Sequence, residues 1–441
     1  MAINRRDFLS GVAGACGATV FGSVAGLNSK ALFASEASST PALTAPDQSG
    51  ISHIVVVTME NRSFDHFLGW LPGAHGKQAG LSYVDPNGVS HSTYPLAPDY
   101  TGCPHPDPDH SYSGGRIDYD GGAMDGFLKN PANDIFAIGY YTKKDIPFYA
   151  ALALHYTTLS NYFCSILGPT FPNRIFQFAS QTDRLDNSLT QSSLPTIFDT
   201  LNNAGISARY YFNNLPFLGL WGPKYLLNTF LYSDFLADAA NGNLPAVSYV
   251  DPIYTLTDDG TGNDDHPHAD IRSGEAFLAK TFHAVASGPG WKNTVFVVNF
   301  DENGGFFEHV PPPRAAAPNN VDPDIVNGKT LLGPRVPTVI ASPFTRGNPA
   351  SPRVVNTVFD HTSALKLIEW RWGLPPLTAR DASSDVGNLV TALNLTKPRV
   401  AVPALPSPVA PPPKPCLPLP GGVTEFGRLA NSELMKSWKA H

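Results

Sequence analysis

The sequence predicts an α/β protein whose central sheet is mostly parallel, flanked by helices and covered by long loop insertions. Three observations support this fold class. Near-continuous apolar runs rich in β-branched residues, such as 51–58, are typical of strands buried on both faces. Helical patterns alternate with these runs, which favours parallel strands joined by helices. The 441 residues include 38 Gly and 42 Pro but only 15% charged residues, against about 25% in a typical domain, which indicates long loops around a buried sheet.

Five stretches have the strand pattern, and they are spread along the chain. They lie at 51–58, 208–212, 246–250, 294–300 and 336–341. Helical patterns lie at 172–180, 194–204, 274–286 and 362–372, the first of them after an apolar stretch at 148–159. We expect Ser193 to cap the second helix, with Pro195 in its first turn. Gly373 is expected to end the last one.

Composition excludes several classes of protein. The 26 Phe, 16 Tyr and 6 Trp residues exclude a disordered chain, which is poor in aromatic residues. The frequent Gly and Pro exclude a coiled coil or a helical bundle, because both residues interrupt helices. The net charge of −7 excludes a general electrostatic attraction to nucleic acid.

The first 37 residues have the features of an export signal. A twin-arginine pattern, Asn-Arg-Arg-Asp-Phe-Leu, occupies 4–9, and a mildly apolar stretch at 11–27 follows it. Leu-Phe-Ala at 32–34 is a candidate cleavage site. The apolar stretch is too short to serve as a permanent membrane anchor. The twin-arginine pattern therefore predicts that the twin-arginine export machinery carries the protein to the periplasm or out of the cell. The alternatives are a frayed amphipathic terminus and lipidation at Cys16.

Residues 38–397 are expected to form one folded domain, with a loop insertion at 71–135. Residues 398–441 form a Pro-rich strap or tail, since ten of the 23 residues at 398–420 are proline. No wide apolar helix face indicates an assembly surface, and we expect a monomer. After removal of the signal, Cys103, Cys164 and Cys416 remain. An oxidising compartment permits one disulfide and leaves one thiol, and the pairing stays open.

Acidic and amide side chains follow two of the predicted strands directly. Glu60 and Asn61 come after the first strand, and Asp301 and Glu302 after the fourth. Since ligand sites in open α/β sheets lie beyond the carboxyl ends of the strands, these four residues are expected at one edge. Three carboxylates and an amide oxygen there require neutralisation, and a hard divalent cation suits an all-oxygen site. The alternative is that each acid caps a turn or helix.

A second motif, Gly-Pro-Thr-Phe-Pro-Asn-Arg at 168–174, begins just before the predicted helix at 172–180 and includes its first three residues. A Thr in this position is usually an N-cap, but the backbone N–H groups at a helix start also favour an anion. Beside a metal ion, the Thr170 hydroxyl can ionise and attack phosphorus. Arg174 can offer two parallel donors to phosphate oxygens, or form a structural salt bridge.

Two histidine-rich runs complete the set of candidate functional residues. His-Pro-Asp-Pro-Asp-His occupies 105–110, and Asn-Asp-Asp-His-Pro-His occupies 263–268. Histidines next to acids in loops serve as metal ligands, as proton donors or as solvated loop residues. These runs alone do not decide among the three.

Six motifs in order resemble one known family. They are Glu-Asn-Arg-Ser-Phe-Asp-His at 60–66, Met-Asp-Gly-Phe at 124–127, the run at 168–174, Asp-His-Pro at 265–267, Asp-Glu-Asn-Gly-Gly-Phe-Phe-Glu-His-Val at 301–310 and Phe-Asp-His-Thr-Ser at 359–363. Together they are similar to those of the bacterial phospholipase C and acid phosphatase phosphoesterase family. The resemblance implies an alkaline-phosphatase-like fold.

The resemblance also implies a role for each motif residue. The residues that would hold the metal ion are Glu60, Asn61, Thr170, Asp301 and Glu302. Thr170 would also be the nucleophile, where the acid-phosphatase members use Ser. His110 and His266 would contact the phosphoryl group and help to protonate the leaving alkoxide, and Asn173 and Arg174 would bind substrate. Supporting roles fall to Asp65, His66, His309 and Asp360.

The expected function is that of a metal-dependent phosphoester hydrolase, acting as a phospholipase C on phosphatidylcholine-type phosphodiesters. Transient contact with a membrane surface would accompany this activity. The alternatives are an acid phosphatase acting on small phosphomonoesters and, more remotely, a secreted non-catalytic protein with a structural ion. Oxygen ligands fit Ca, Mg or Mn, and a contribution from histidine would also allow Zn. A choline head group would favour an aromatic cage, for which the loop tyrosines 94, 100, 112, 119, 140 and 141 are candidates.

Overall fold

The computed structural model describes residues 45–257, 260–416 and 422–439, and the predicted export signal lies outside this range. Its centre is an eight-stranded sheet in the order β15-β6-β14-β10-β1-β9-β7-β8. The strands are β1 (His53–Met59), β2 (Ser82–Val84), β3 (Ser90–Ser92), β4 (Tyr94–Pro95), β5 (Gly139–Tyr140), β6 (Thr157–Leu159), β7 (Ala208–Phe212), β8 (Thr229–Leu231), β9 (Val247–Val250), β10 (Thr294–Phe300), β11 (Arg314–Ala316), β12 (Ile325–Val326), β13 (Lys329–Leu331), β14 (Val339–Ala341) and β15 (Arg353–Val355).

The α-helices lie mainly between strands of the central sheet, and the last two follow it. They are α1 (Phe64–Leu68), α2 (Tyr112–Tyr119), α3 (Pro147–His155), α4 (Thr170–Ala179), α5 (Ile197–Asn203), α6 (Tyr232–Asn241), α7 (Ile271–Ser287), α8 (Thr362–Trp372), α9 (Ala379–Ala382), α10 (Glu425–Ala430) and α11 (Glu433–Lys439). Helix α7 packs against α3 and α6, while α8 packs against α4. Within the described ranges, no helix is long and apolar enough to cross a membrane.

The α/β fold class with a mostly parallel sheet is confirmed. Five of the seven strand pairs in the central sheet are parallel, and the two antiparallel pairs both involve β14. Strands β1 and β10 are buried along almost their whole length, as their continuous apolar sequences predict. All strands of the sheet except β14 therefore direct their carboxyl ends to the same edge.

The pairing of β1 with β10 sets the position of the predicted acids. The two strands are parallel, with Met59 opposite Phe300 in the register. The next residue on each strand, Glu60 and Asp301, therefore lies at the same level beyond the sheet. This local geometry follows from the two buried runs and from the parallel direction alone.

Three helix starts differ from the prediction. Helix α7 begins at Ile271, three residues before the predicted start at 274. Helix α5 begins after Thr196 and not after Ser193, because Thr196 forms a capping box with Asp199. Helix α4 begins at Thr170 itself, with Pro169 in the N-cap position. The apolar stretch at 148–159 is divided between α3 and β6.

The predicted insertion and the predicted strap meet at a disulfide. Residues 71–135 contain only short strands, helix α2 and a short 3₁₀ turn, and residues 398–416 have no regular secondary structure. Cys103 and Cys416 form the disulfide, with their Cα atoms 5.4 Å apart, and Cys164 is a buried free thiol. Beyond the strap, residues 422–439 form α10 and α11, two helices that the sequence did not predict.

Candidate active site

The carboxyl ends of β1 and β10 bring the four predicted strand-end residues together. Asn61 has a left-handed backbone conformation with φ of 56°, and its N–H donates a 3.1 Å hydrogen bond to Asp301 Oδ1. The Asp301 N–H donates to the Met59 carbonyl at 3.0 Å. Gly304 packs directly on this turn, since a Cβ atom there would lie 2.4 Å from the Asn61 carbonyl oxygen. The turn after β1 is thus locked against the turn after β10.

The Asn61 amide group lies between charged side chains at this turn. One of its terminal atoms is 3.1 Å from Glu60 Oε2 and 3.0 Å from Glu302 Oε1, and the other is 3.2 Å from His266 Nε2. With its nitrogen towards the two acids, the amide donates to both carboxylates and accepts from His266. The side chains of Glu60, Asn61, Asp301 and Glu302 are buried. Burial raises the pKa of Glu60 well above its ordinary value, although the charge of Arg174 opposes this effect. Burial likewise raises the pKa of Glu302 to about 8, against the opposing charge of His110.

The buried acids fit a divalent cation, because carboxylate oxygens are ligands that hard cations prefer. Among the described residues, Asp301 Oδ2 and Thr170 Oγ1 are buried without a hydrogen-bond partner, which leaves both oxygens available to an ion.

Arg174 lies beside these acids and is fully buried. Its Nε donates to Glu60 Oε1 at 2.6 Å, and its Nη1 donates to Asp251 Oδ1 at 3.0 Å. The same Nε lies 3.5 Å from Asp301 Oδ2. The sequence analysis gave two alternatives for Arg174, a contact with phosphate or a structural salt bridge, and these contacts are those of a salt bridge. The contact of Arg174 with substrate stays a prediction.

Asn173 braces the loop that leads into α4. Its amide nitrogen donates to the carbonyl oxygens of Ile166, Gly168 and Pro169 at 2.8 to 3.2 Å, and its oxygen accepts from the Ile166 N–H at 3.1 Å. These bonds use both ends of the buried amide. The observed contacts fix the position of the start of α4. The contact of Asn173 with substrate also stays a prediction.

Thr170 is the first residue of α4 and is buried. Its hydroxyl does not cap the helix, and among the described residues Thr170 Oγ1 has no hydrogen-bond partner. A buried hydroxyl without a partner costs free energy, about 1–3 kcal/mol, unless a ligand completes the site. Helix α4 also carries Arg174 one turn later, and that side chain contacts Glu60, so Thr170 belongs to the element that borders the oxygen cluster.

His110 borders the cluster at Glu302. Its Nδ1 contacts the Pro108 carbonyl at 2.8 Å, and its Nε2 lies 3.8 Å from Glu302 Oε1. Burial alone would lower its pKa, but the charges of Glu302, Asp107 and Glu425 raise it to about 10. The neighbouring acids therefore favour the protonated form of His110.

His266 faces the same cluster, 6.0 Å from the His110 ring. Its Nδ1 bonds the Pro267 carbonyl, and its Nε2 lies 3.2 Å from the Asn61 amide, whose oxygen accepts from it when the amide nitrogen faces the acids. Asp107 Oδ2 is 3.8 Å from His266 Nε2. Burial would lower the pKa of His266, but the surrounding acids raise it to about 9. The ligand atoms of Asp107, His110 and His266 lie within 4.8 Å of one another, so that the three residues, with neutral imidazoles, could also hold a metal ion.

Two residues of this environment were missed by the sequence analysis. Asp107 is part of the histidine-rich run at 105–110, and its spacing from His110 was the available signal. Glu425 Oε1 lies 3.6 Å from His266 Nε2, and no motif marked it, because it comes from the predicted tail. Both acids place negative charge beside the histidines.

A second group of acids and histidine lies nearby but is already charge-balanced. Asp65, Glu308 and His309 also have ligand atoms close enough to share an ion. However, Arg335 Nη2 lies 2.7 Å from Glu308 Oε1 and 3.3 Å from Asp65 Oδ1. Asp360 is similarly paired with Arg380 at 3.0 Å. His66 contacts the Gly139 carbonyl at 2.8 Å.

A cleft of about 600 Å³ opens beside His110. Residues that line it include Asp107, Asp109, His110, Tyr112, Pro169 and Asn187, and none of the described lining residues is Lys or Arg. Because Pro169 directly precedes Thr170, the cleft reaches the start of α4. Of the six candidate cage tyrosines, only Tyr112 is among these lining residues, and the Arg116 guanidinium covers its ring at 3.3 Å.

Comparisons with known proteins agree with these motifs. The model of the phosphoesterase family matches residues 51–230 and 221–375. Phospholipase C B of Mycobacterium tuberculosis is 34% identical over 428 residues, which cover 79% of this chain and 78% of that protein. Non-specific phospholipase C6 of Arabidopsis thaliana is 32% identical, covering 82% of this chain and 76% of its own.

Among solved structures, a protein of the alkaline phosphatase superfamily from Vibrio parahaemolyticus is similar over 79% of this chain and 74% of its own, with 10% identity and a TM-score of 0.37. The family match covers most of the chain and includes every predicted motif. The two relatives, each more than 30% identical, are both named phospholipases C. The chain therefore belongs to the phosphoesterase family and is a phosphoric ester hydrolase.

Proposed function

We propose that this phosphoesterase is a metal-dependent phospholipase C that cleaves phosphatidylcholine-type phosphodiesters with Thr170 as its nucleophile. The observation that carries the proposal is the buried Thr170 hydroxyl, which has no hydrogen-bond partner among the described residues and opens the helix that contacts Glu60. The names of the relatives support the lipid substrate.

The residues that would hold the metal ion are Glu60, Asn61, Thr170, Asp301 and Glu302. A bound divalent cation supplies positive charge that lowers the pKa of a coordinated hydroxyl and stabilises charge on phosphoryl oxygens. Arg174 holds Glu60 in place from the other side, and Asn173 holds the loop before Thr170. The chain's contribution is therefore to hold the proposed metal ligands and the loop before Thr170 in fixed positions.

In the first step the Thr170 hydroxyl releases its proton to solvent, and its oxygen forms a bond to phosphorus in line with the departing alcohol. The bond from phosphorus to the glycerol oxygen breaks, and a protonated histidine gives its proton to that oxygen. His110 and His266 are suited to this role, because the surrounding acids favour their protonated forms. The products of this step are diacylglycerol and a phosphocholine ester of Thr170.

In the second step a water molecule replaces Thr170 on phosphorus. The histidine that lost its proton accepts one from the water, and the bond between phosphorus and the Thr170 oxygen breaks. The departing Thr170 oxygen takes up a proton from solvent, which restores the hydroxyl, and phosphocholine leaves. The histidine and Thr170 are then in their starting protonation states, so that the cycle closes without any further reagent.

The charge of the cleft favours a cationic head group over a dianionic monoester. Asp107, Asp109 and Asp186 line its wall, and among the described lining residues only His110 can carry a positive charge that offsets them in part. A quaternary ammonium group is attracted to such a surface, while a terminal phosphate with two charges is repelled. This contrast favours the phospholipase over the acid phosphatase.

The Cys103–Cys416 disulfide supports an oxidising location for the mature protein, in agreement with the proposed twin-arginine export. A monomer in transient contact with lipid surfaces is sufficient for the activity.

The substrate proposal is tested with three substrates offered to purified protein. Phosphatidylcholine and p-nitrophenylphosphorylcholine are expected to be hydrolysed, and p-nitrophenyl phosphate only weakly. Strong hydrolysis of the simple monoester without any hydrolysis of the two choline diesters would make the chain an acid phosphatase. Inactivity on all three substrates, with one tightly bound ion per chain, would favour a non-catalytic binding protein.

A further inference from the structure

A groove of about 680 Å³ lies beside the end of helix α1, and we call it the α1 groove. Part of its lining comes from the segment 69–79, which directly follows α1, and part from 140–143 at the end of β5. Leu154 of α3 and Pro349 complete the lining. None of the residues that line this groove also lines the cleft beside His110, so the two are separate parts of the surface.

Hydrogen bonds hold the two main walls of the α1 groove together. Gln78 Nε2 donates to the Tyr141 carbonyl at 2.8 Å and to the His66 carbonyl at 3.2 Å. The Lys77 N–H donates to Asp65 Oδ1 at 2.8 Å. Since Asp65 and His66 belong to α1, both walls are anchored on the helix that follows the turn after β1. The groove is therefore a preformed feature of the fold.

The charge of the α1 groove is positive. Lys77 and Lys143 line it, both are exposed, and neither has an acidic partner among the described residues. Asp145, the acid nearest to Lys143 along the chain, accepts instead from the Thr142 N–H and hydroxyl, both at 2.7 Å. Lys129, by contrast, is paired with two aspartates at 2.7 and 2.8 Å. None of the described lining residues is Asp or Glu, so the two charges of the groove are available to an anion.

Apolar and aromatic side chains line the same groove beside the lysines. They are Trp70, Tyr140, Leu154 and Pro349, and the first three are half-buried. Trp and Tyr are enriched at the boundary between water and lipid, because each joins an apolar ring to a polar atom. Lys side chains near that boundary are attracted to anionic head groups. The combination of cations with an apolar wall therefore matches an anionic amphiphile better than a wholly polar anion.

We propose that the α1 groove binds anionic phospholipid of a membrane and so docks the enzyme on the lipid surface. Its charge is opposite to that of the catalytic cleft, where aspartates favour a cationic head group. The groove thus recognises the lipid around the substrate, while the cleft recognises the substrate itself. This goes beyond the proposed function, because it concerns the surrounding membrane and not the reaction at Thr170.

The test measures binding to two kinds of vesicle by flotation. One kind contains phosphatidylcholine alone, and the other contains phosphatidylcholine mixed with anionic phosphatidylglycerol. A Thr170→Ala background limits hydrolysis of the vesicles during the measurement. Stronger binding to the mixed vesicles is expected. Lys77→Gln and Lys143→Gln are each expected to lower that binding about fivefold, and together about 25-fold, as for lysines that contact an anionic lipid surface.

Matched variants separate the groove from the overall charge of the chain. Lys292→Gln combined with Lys397→Gln removes two other exposed lysines, which do not line the groove, and is expected to keep most of the binding. Brominated lipids in the mixed vesicles are expected to quench part of the tryptophan fluorescence, and Trp70→Phe to lose this quenching. In the chain that retains Thr170, the Lys77 and Lys143 variants are expected to hydrolyse soluble p-nitrophenylphosphorylcholine at the parent's rate.

Three outcomes overturn the proposal. The first is equal binding to both kinds of vesicle, and the second is an equal loss of binding in the groove variants and in the control pair. The third is release from the mixed vesicles by inorganic phosphate at an ionic strength where chloride has no effect, which would indicate a site for free phosphate. The proposed function fails on a different result, namely near-normal turnover by the Thr170→Ala variant, so the two failures are distinguishable.

Discussion

Arg174 Nε donates a 2.6 Å hydrogen bond to Glu60 Oε1, so that helix α4 is joined to the end of strand β1 by a buried ion pair. Thr170 stands at the start of the same helix, one turn from this contact. The pair therefore fixes the distance between the proposed nucleophile and the proposed metal ligands. Because neither side chain is exposed, its loss would be felt in stability as well as in rate.

Replacement of Arg174 separates a structural role from a substrate-binding role. Arg174→Leu leaves Glu60 and Asp251 without their cation, and breaking a buried pair costs about 3–5 kcal/mol. We expect urea denaturation to show a loss of this size, together with a loss of activity. A normal free energy of unfolding with a raised KM would instead assign Arg174 to substrate binding. Exposed Arg272→Leu serves as the control.

Replacement of Thr170 tests the nucleophile. Thr170→Ala is expected to lower kcat by at least about 10³-fold, because the covalent step disappears. The other four proposed ligands are expected to keep the ion bound, and the melting temperature is expected to stay unchanged. Thr170→Ser keeps a hydroxyl at the same position and is expected to retain measurable turnover. An Ala variant with near-normal kcat would rule out Thr170 as the nucleophile.

Removal of the metal ion tests the oxygen cluster. Extensive chelation is expected to abolish activity and to lower the melting temperature, since the ion stabilises the folded state by about 2.7 kcal/mol at a concentration 100 times its Kd. Adding back the correct cation restores both. Glu302→Gln is expected to reduce the bound metal per chain, as measured by elemental analysis. Unchanged metal content in that variant would remove Glu302 from the ligand set.

The stability of the fold is expected to fall with rising pH because of Glu275. This carboxyl is buried in α7 and accepts hydrogen bonds from the N–H groups of Phe148 and Tyr149 at the start of α3. Burial raises its pKa to about 8, although the two hydrogen bonds oppose the rise. The folded state thus binds more protons than the unfolded state, and stability decreases between about pH 4.5 and pH 8.

The measurement for Glu275 is urea denaturation at several pH values in that window. Glu275→Gln cannot ionise, and we expect its stability to depend less on pH than that of the parent protein. Glu433→Gln, which removes an exposed carboxyl, is expected to keep the parent's pH dependence. Identical slopes for the parent and Glu275→Gln would show that Glu275 does not titrate in this window.

The disulfide is expected to be found by peptide mapping as a Cys103–Cys416 link, with Cys164 alkylated only after unfolding, because Cys164 is buried. Cys103→Ser is expected to lower the free energy of unfolding by about 2–5 kcal/mol, since the bond closes a very long loop. Rapid alkylation of Cys416 in the folded, non-reduced protein would contradict the pairing.

The parts of the fold that repeat a simple pattern were predictable. Strands β7 and β10 have the predicted bounds, and α8 ends at Gly373 as expected, because buried runs and a left-handed glycine leave clear sequence signals. The direction of β14 was not predictable, since a short apolar run has the same sequence pattern in a parallel and in an antiparallel strand. The capping residue of α5 was misplaced by three positions, because Ser193 and Thr196 are both good caps.

The candidate site was predictable only where its residues follow strands or belong to motifs. Glu60 and Asp301 follow paired strands, and the sheet topology alone brings them together. Glu425 lies far along the chain in a segment without a strong pattern, and only tertiary packing brings it to His266. The partners of Arg174 could not be predicted either, since the sequence does not show whether a guanidinium contacts a ligand or an acidic side chain of the protein.

The register of β1 and β10 also has a consequence for biosynthesis. Asn61 and Asp301 are 240 positions apart, so the ribosome completes the first half of the oxygen cluster long before the second. A partly synthesised chain cannot capture the ion at this place, whatever its local structure. Ion occupancy would therefore report that the long-range strand pairing is finished.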